Sequence, residues 1–150
     1  MKRNYIFLLL SEIVCFWVLF LCFPYTIQMQ EGEDLFLLTR EFLGGVISRP
    51  QGITFLISDF LEQFFATAWA GALIYSLVIT LSQWLLFLTL RNLGKTSFGW
   101  LAFFPALLVV PYSFPFVDMS VNFLFFSLLL YVFTAIKSRI WRTVYTLLLP

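Results

Sequence analysis

A chain of 150 residues that is 61% hydrophobic, with 20 Phe and only 11% charged residues, carries more apolar surface than a soluble domain of its length can bury. The formal net charge of +1 comes from short cationic clusters and not from one basic face, which gives no basis for a nucleic-acid partner. With no His in the chain, imidazole acid–base catalysis, His metal ligation and imidazole pH switching are excluded, and no GxxxxGK(S/T), GxSxG, GxGxxG or HExxH pattern supports an ATPase, serine hydrolase, dinucleotide or zinc-protease reading.

The first apolar stretch, from about Tyr5 to Phe23, is long enough at about 1.5 Å per residue to cross a hydrocarbon layer of about 30 Å. Lys2 and Arg3 precede it, Pro24 marks its outer end, and Tyr25-Thr26-Ile27-Gln28 lacks a small-residue cleavage site, so a retained span is expected and not a signal peptide. Glu12 lies inside this span, where an ionisable group is a functional candidate by default. Ser82 and Gln83 fall at nearly the same depth of the next span. A Glu12–Gln83 hydrogen bond between helices is therefore the structural expectation, and a proton or substrate pathway the functional one. Cys15 and Cys22, the only cysteines, share this stretch and read as packing residues, not as a disulfide or metal pair.

Residues 24–64 form an outer loop that holds six of the eight carboxylates. Asp34 to Leu43 gathers Leu35, Phe36, Leu38, Phe42 and Leu43 against Asp34, Arg40 and Glu41. Ile53 to Phe65 gathers Ile53, Leu56, Ile57, Phe60, Leu61 and Phe64 against Ser58, Asp59, Glu62 and Gln63. Both segments are too charged to span and predict two amphipathic helices lying in the interface or packed over a bundle. Gly44-Gly45 is expected to end the first, and Arg49-Pro50-Gln51-Gly52 to turn into the second, giving an elbow.

A second span is expected from about Phe65 to Leu90, with Trp69 as an interfacial anchor and Arg91 closing it inside. A third, about 98–112, is short and kinked at Pro105, and Pro111 and Pro115 separate it from a fourth, about Met119 to Ile136. Residues 98–136 read as a hairpin of two kinked spans, with a re-entrant element as the alternative. After Arg142 another apolar run begins, either the start of a fifth span or an interfacial stub. Lys2 and Arg3, Arg91 and Lys95, and Lys137, Arg139 and Arg142 occupy alternate gaps, while Asp118 and the loop acids occupy the others. Flanking cations stay cytoplasmic, so the N-terminus is placed inside. The expected fold class is all-α, a polytopic transmembrane bundle of about four spans forming one membrane domain over 1–150, with two interface helices in the first outer loop. Its juxtamembrane cations make membrane lipids the first expected partner.

The runs Leu35-Phe36-Leu37-Leu38-Thr39, Ser48-Arg49-Pro50-Gln51-Gly52, Phe60-Leu61-Glu62-Gln63-Phe64-Phe65 and Trp69-Ala70-Gly71-Ala72-Leu73-Ile74 resemble an uncharacterised family of bacterial multi-pass membrane proteins, a domain of unknown function, over about residues 31 to 90. The resemblance implies a bacterial cytoplasmic (inner) membrane location and a longer protein of which these residues are the N-terminal part. It brings no activity and no catalytic residue. In that family the turn more often reads Arg-Pro-Gly-Gly, so Gln51 is a departure that makes the turn less flexible.

Glu31-Gly32-Glu33-Asp34 has the hard oxygens to hold a divalent cation, or it solvates the loop and caps the following helix. The architecture also loosely resembles membrane glycosyltransferases that use lipid-phosphate-linked sugars. That resemblance implies Glu31, Glu33 or Asp34 as base or metal ligand, Asp118 as an added carboxylate, and Arg40 or Arg49 as partner of the donor phosphate. On its residues alone the leading reading of Arg49 is an ion pair with Asp59 or Glu62 that pins the elbow, ahead of a grip on a phosphate or carboxylate. No cofactor is evident, and a divalent cation enters only with the glycosyltransferase reading. The leading expectation is a binding or assembly component whose outer elbow contacts a lipid-linked ligand or another membrane protein. The alternative is a glycosyltransferase-like enzyme acting on a lipid-phosphate-linked sugar at the outer face.

Overall fold

In the computed structural model five α-helices follow one another among the described residues: α1 (Lys2–Cys22), α2 (Arg40–Ile47), α3 (Gly52–Glu62), α4 (Ala68–Asn92) and α5 (Val117–Ala135). Short 3-10 segments, Gln63–Ala66 and Thr96–Phe103, flank α4. The structure describes residues 2–25, 27, 39–49, 51–104, 117–136 and 143, and among these every regular element is helical. The chain is all-α.

The central helix is α4, which packs against both α1 and α5, while α3 packs across α5 and α2 folds back on α3. Small residues make α4 suitable for that position. Gly71, Ala72, Ser76 and Ser82 are all buried on it, and small side chains let neighbouring backbones approach closely. A methyl group added at Gly71 would sit 2.2 Å from Ile27 Cγ2 and 3.2 Å from the Phe65 ring, so the closure at this end of the core depends on its absence. Cys15 and Leu19 of α1, Ala72, Tyr75, Val78 and Ile79 of α4, and Val117 and Val121 of α5 complete the core with Ile27 and Phe65. The other end of α4 is closed by Gly94 in the left-handed region at φ 71°, with the Lys95 N–H donating to Leu90 O at 3.0 Å.

The outward faces of these helices are apolar as well. Ile6, Leu9, Val14, Trp17 and Leu21 on α1, Leu73, Leu77, Leu81 and Trp84 on α4, and Met119, Phe126 and Leu128 on α5 are all exposed. Among the described residues two helices, α4 with 25 residues and α5 with 19, are long and apolar enough to cross a membrane; the apolar part of α1, Ile6–Cys22, is shorter. Of the about four spans expected, the described residues support these two. The segment expected as a third span begins as the 3-10 segment Thr96–Phe103, not as an α-helix, and the rest of it, 105–112, lies outside the described residues.

Other boundaries move for local reasons. The second expected span starts at Ala68, not Phe65, because Thr67 is extended (φ −118°, ψ 126°) and interrupts the helix. In the elbow, α2 starts at Arg40, where the Thr39 hydroxyl caps it by accepting from the Phe42 N–H at 3.3 Å. It then runs through Gly44-Gly45, which were expected to end it, and stops at Ile47. The backbone bond from Ser48 N–H to Gly44 O (3.3 Å) and the hydroxyl bond from Ser48 to Gly45 O (3.0 Å) carry the last turn past the glycines. The turn before α3 falls where expected, closed by the Gly52 N–H on Arg49 O at 3.0 Å.

Candidate functional site

Polar side chains gather in two seams, one between α3 and α5 and one between α1 and α4. In the outer seam Thr54, Ser58 and Glu62 recur every four residues of α3, so they form one stripe, and all three are buried. Asp118 and Asn122 are likewise one turn apart on α5. Thr54 Oγ1 lies 2.6 Å from Asn122 Oδ1, and one turn further on the Ser58 hydroxyl donates to Asp118 Oδ1. The two bonds rise in step along antiparallel helices, which fixes their register. Thr54 Oγ1 also donates to Gln51 O at 2.7 Å. One hydroxyl proton cannot serve both acceptors, and turning the Asn122 amide end for end lets its NH2 donate to Thr54 instead. Nearby, the Ser120 hydroxyl donates to Tyr75 OH at 3.0 Å and ties α5 to α4.

The consequence for α3 is an inverted helix. Its polar stripe faces the protein, and Ile53, Phe55, Ile57 and Phe60, followed by Phe64, face outward, with Ile53 59% and Phe60 46% exposed. Phe60 and Phe64 pack edge to face with ring centroids 5.5 Å apart on that surface.

The inner seam joins α1 to α4. The Ser11 hydroxyl donates to Gln83 Oε1 at 3.0 Å, and the Ser76 hydroxyl lies 3.0 Å from Glu12 Oε1 and 2.9 Å from Leu73 O. In place of the direct bond expected between Glu12 and Gln83, the structure shows these two offset ones. Gln83 is fully buried. Cys15 is buried and free beside this seam, whereas Cys22, expected to pack like it, is exposed.

The remaining candidates are spread out. Asp118 is half-buried and held by Ser58. Arg40 is exposed at the start of α2, and Arg49 is exposed just past its end, with its backbone N–H on Val46 O at 3.0 Å. Glu31, Glu33 and Asp34 lie outside the described residues, and among the described residues no three Cys, Asp or Glu side chains gather around a metal-sized space. Sequence reasoning passed over Thr54, Ser76 and Thr80, and named Ser58 only as part of a polar face. Their signal was present as polar residues at helical spacing within otherwise apolar runs.

Among the described residues these features define an all-α protein with two helices of membrane-crossing length, apolar outward faces on its helices and polar side chains in the seams between them. Residues 1–150 match the model of a family of unknown function (DUF6057), and the chain belongs to that family. The match extends beyond the stretch of about residues 31 to 90 on which the resemblance was read. No curated protein and no solved structure matches the chain.

Proposed function

We propose that the chain is a multi-pass integral membrane protein of the bacterial inner membrane, with a cytoplasmic N-terminus, that serves as a binding or assembly component through its α2–α3 elbow on the outer face. The observation that carries this reading is the inverted α3. Burying Thr54, Ser58 and Glu62 while exposing Ile53, Phe55, Ile57, Phe60 and Phe64 is unfavourable in water, where each exposed apolar Å² forgoes about 25 cal/mol of burial. It is the favourable arrangement in hydrocarbon, where polar groups must be satisfied internally and apolar faces belong outside. The same logic accounts for the exposed faces of α1, α4 and α5. At the elbow tip Gly44, Gly45, Ile47, Ser48 and Arg49 are exposed, and Arg49 offers a planar donor array suited to a phosphate or carboxylate. A lipid-linked ligand or a partner membrane protein is the class of molecule such a tip would meet. The glycosyltransferase-like alternative gains nothing from Asp118, whose Oδ1 is engaged by Ser58.

A photoreactive amino acid at Ile47 tests the proposal in cells. A discrete adduct, either a lipid-linked species or one membrane protein, that weakens in Arg49→Ala at equal protein level is the expected result. Labelling of bulk phospholipid alone, unchanged by Arg49→Ala, would count against the elbow as a binding surface.

A further inference from the structure

Three buried polar atoms of the inner seam have no hydrogen-bond partner: Glu12 Oε2, Thr80 Oγ1 and Gln83 Nε2. Gln83 is 0% exposed, so solvent does not satisfy its amide. Ser76, Thr80 and Gln83 are four and then three residues apart on α4 and so share the face that meets Ser11 and Glu12 of α1.

Counting protons shows what the seam lacks. The Ser76 hydroxyl has one proton and two acceptors within reach, Leu73 O at 2.9 Å and Glu12 Oε1 at 3.0 Å. The Glu12 carboxyl therefore receives at most one shared proton at Oε1 and none at Oε2. No Lys or Arg among the described residues pairs with it. Ser11 can accept as readily as donate, so turning the Gln83 amide end for end keeps the 3.0 Å bond to Ser11 and puts Oε1 where Nε2 stands. In that orientation all three unpartnered atoms are hard oxygens, from a carboxylate, a hydroxyl and an amide.

We propose that this seam binds a single monovalent alkali cation, Na+ or K+, through Glu12, Thr80 and Gln83, and that the ion fastens α1 to α4. One positive charge balances the single carboxylate. A water molecule would fill the space without compensating the charge, and a divalent ion would leave an excess. The site is independent of whatever the outer elbow contacts.

The test uses the full chain purified in detergent and choline chloride, with NaCl or KCl replacing choline at constant ionic strength. The unfolding midpoint is expected to rise with the logarithm of one alkali ion and not with choline, as linkage to a single site requires. Radioactive sodium or a potassium analogue should bind at one ion per chain, and the preferred ion identifies the source. Thr80→Val, which keeps the shape and removes one ligand, should weaken the apparent affinity about tenfold, the equivalent of one lost polar contact. Glu12→Gln should abolish the ion response, while Ser127→Ala, which removes a buried hydroxyl elsewhere, should retain it. If Glu12→Gln does not fold, Thr80→Val and Gln83→Leu decide the matter. A wild-type midpoint equal in all three salts, which would leave a proton or water as the occupant, overturns the proposal. An ion response that survives unchanged in Thr80→Val and Gln83→Leu overturns it too.

Discussion

Substituting Gly52 and Gly44 by alanine should move stability in opposite directions, although both glycines belong to the same elbow. A Cβ at Gly52 would lie 2.0 Å from Val46 O, 2.9 Å from Val46 C and 3.0 Å from Ile47 Cα, all backbone atoms. An ordinary carbon–oxygen contact needs about 3.3 Å, so the end of α2 and the start of α3 must part by more than about 1 Å. Val46 O cannot move freely, because it also accepts from the Arg49 N–H at 3.0 Å within the turn. Forcing atoms into a packed contact costs about 1–3 kcal/mol, and with only backbone to yield the upper end applies. Alanine's better helix propensity returns up to about 1 kcal/mol, leaving Gly52→Ala about 2 kcal/mol less stable. At Gly44 nothing lies within 4 Å of the added methyl, so Gly44→Ala in the middle of α2 should gain about 0.5–1 kcal/mol. At about 2–4 °C per kcal/mol for a chain of this size, the two midpoints should separate by about 5–12 °C. Cys15 is buried and free, so in a Cys22→Ser background a thiol-reactive fluorophore reports unfolding through its exposure. A Gly52→Ala midpoint at or above that of Gly44→Ala would refute the close approach of the two helices.

Three further outcomes follow from the seams and the elbow. Gln51 holds a left-handed φ of 62°, which costs a residue with a Cβ about 1–2 kcal/mol, so Gln51→Gly should raise stability by a net of about 1 kcal/mol after glycine's own entropy is subtracted, read as a higher unfolding midpoint. Ser58→Ala and Asp118→Ala should each destabilise, and their double-mutant cycle should give a coupling of about 1–2 kcal/mol; additivity within about 0.3 kcal/mol would mean that the bond contributes nothing. Phe60→Asp, on the outward face of α3, should reduce the membrane-inserted yield by the equivalent of about 2–3 kcal/mol, whereas on a water-facing surface the same change would be neutral and would raise solubility.

Much of the helical framework was legible because long apolar runs bounded by cations have few alternatives. The stretch ending at Arg91 became α4 to within a few residues, and the stretch after Asp118 became α5. The elbow was legible from Arg49-Pro50-Gln51-Gly52, yet its helix limits were not. Gly44-Gly45 looks like a stop, and only the capping of Thr39 onto Phe42 and the bonds of Ser48 show the helix passing through. The amphipathic pattern of α3 showed that it has two faces but not which one turns inward. That choice depends on Asp118 and Asn122, about sixty residues later, which supply partners that pure hydrophobic packing would not. In the inner seam a Glu12–Gln83 pairing was expected from their similar distance to the ends of the two apolar runs. The pairing with Ser11 and Ser76 was not, since it depends on how two helices rotate against each other by less than one residue. For the 98–112 segment the hydropathy was sufficient to expect a short span kinked at Pro105, but its described part falls in the 3-10 segment Thr96–Phe103.

The central claim is that the chain threads a membrane with its N-terminus in the cytoplasm and its elbow on the opposite side. Cysteine scanning with a membrane-impermeant maleimide, in a chain whose Cys15 and Cys22 are replaced by alanine, tests it most directly. Ser48 at the elbow and Leu93 past the end of α4 are both exposed, so each cysteine would be reachable from whichever compartment it faces. Ser48→Cys should label in intact spheroplasts and Leu93→Cys only after the membrane is permeabilised. Labelling of Leu93→Cys but not Ser48→Cys in intact spheroplasts would reverse the topology, and finding both in the soluble fraction would contradict membrane integration altogether.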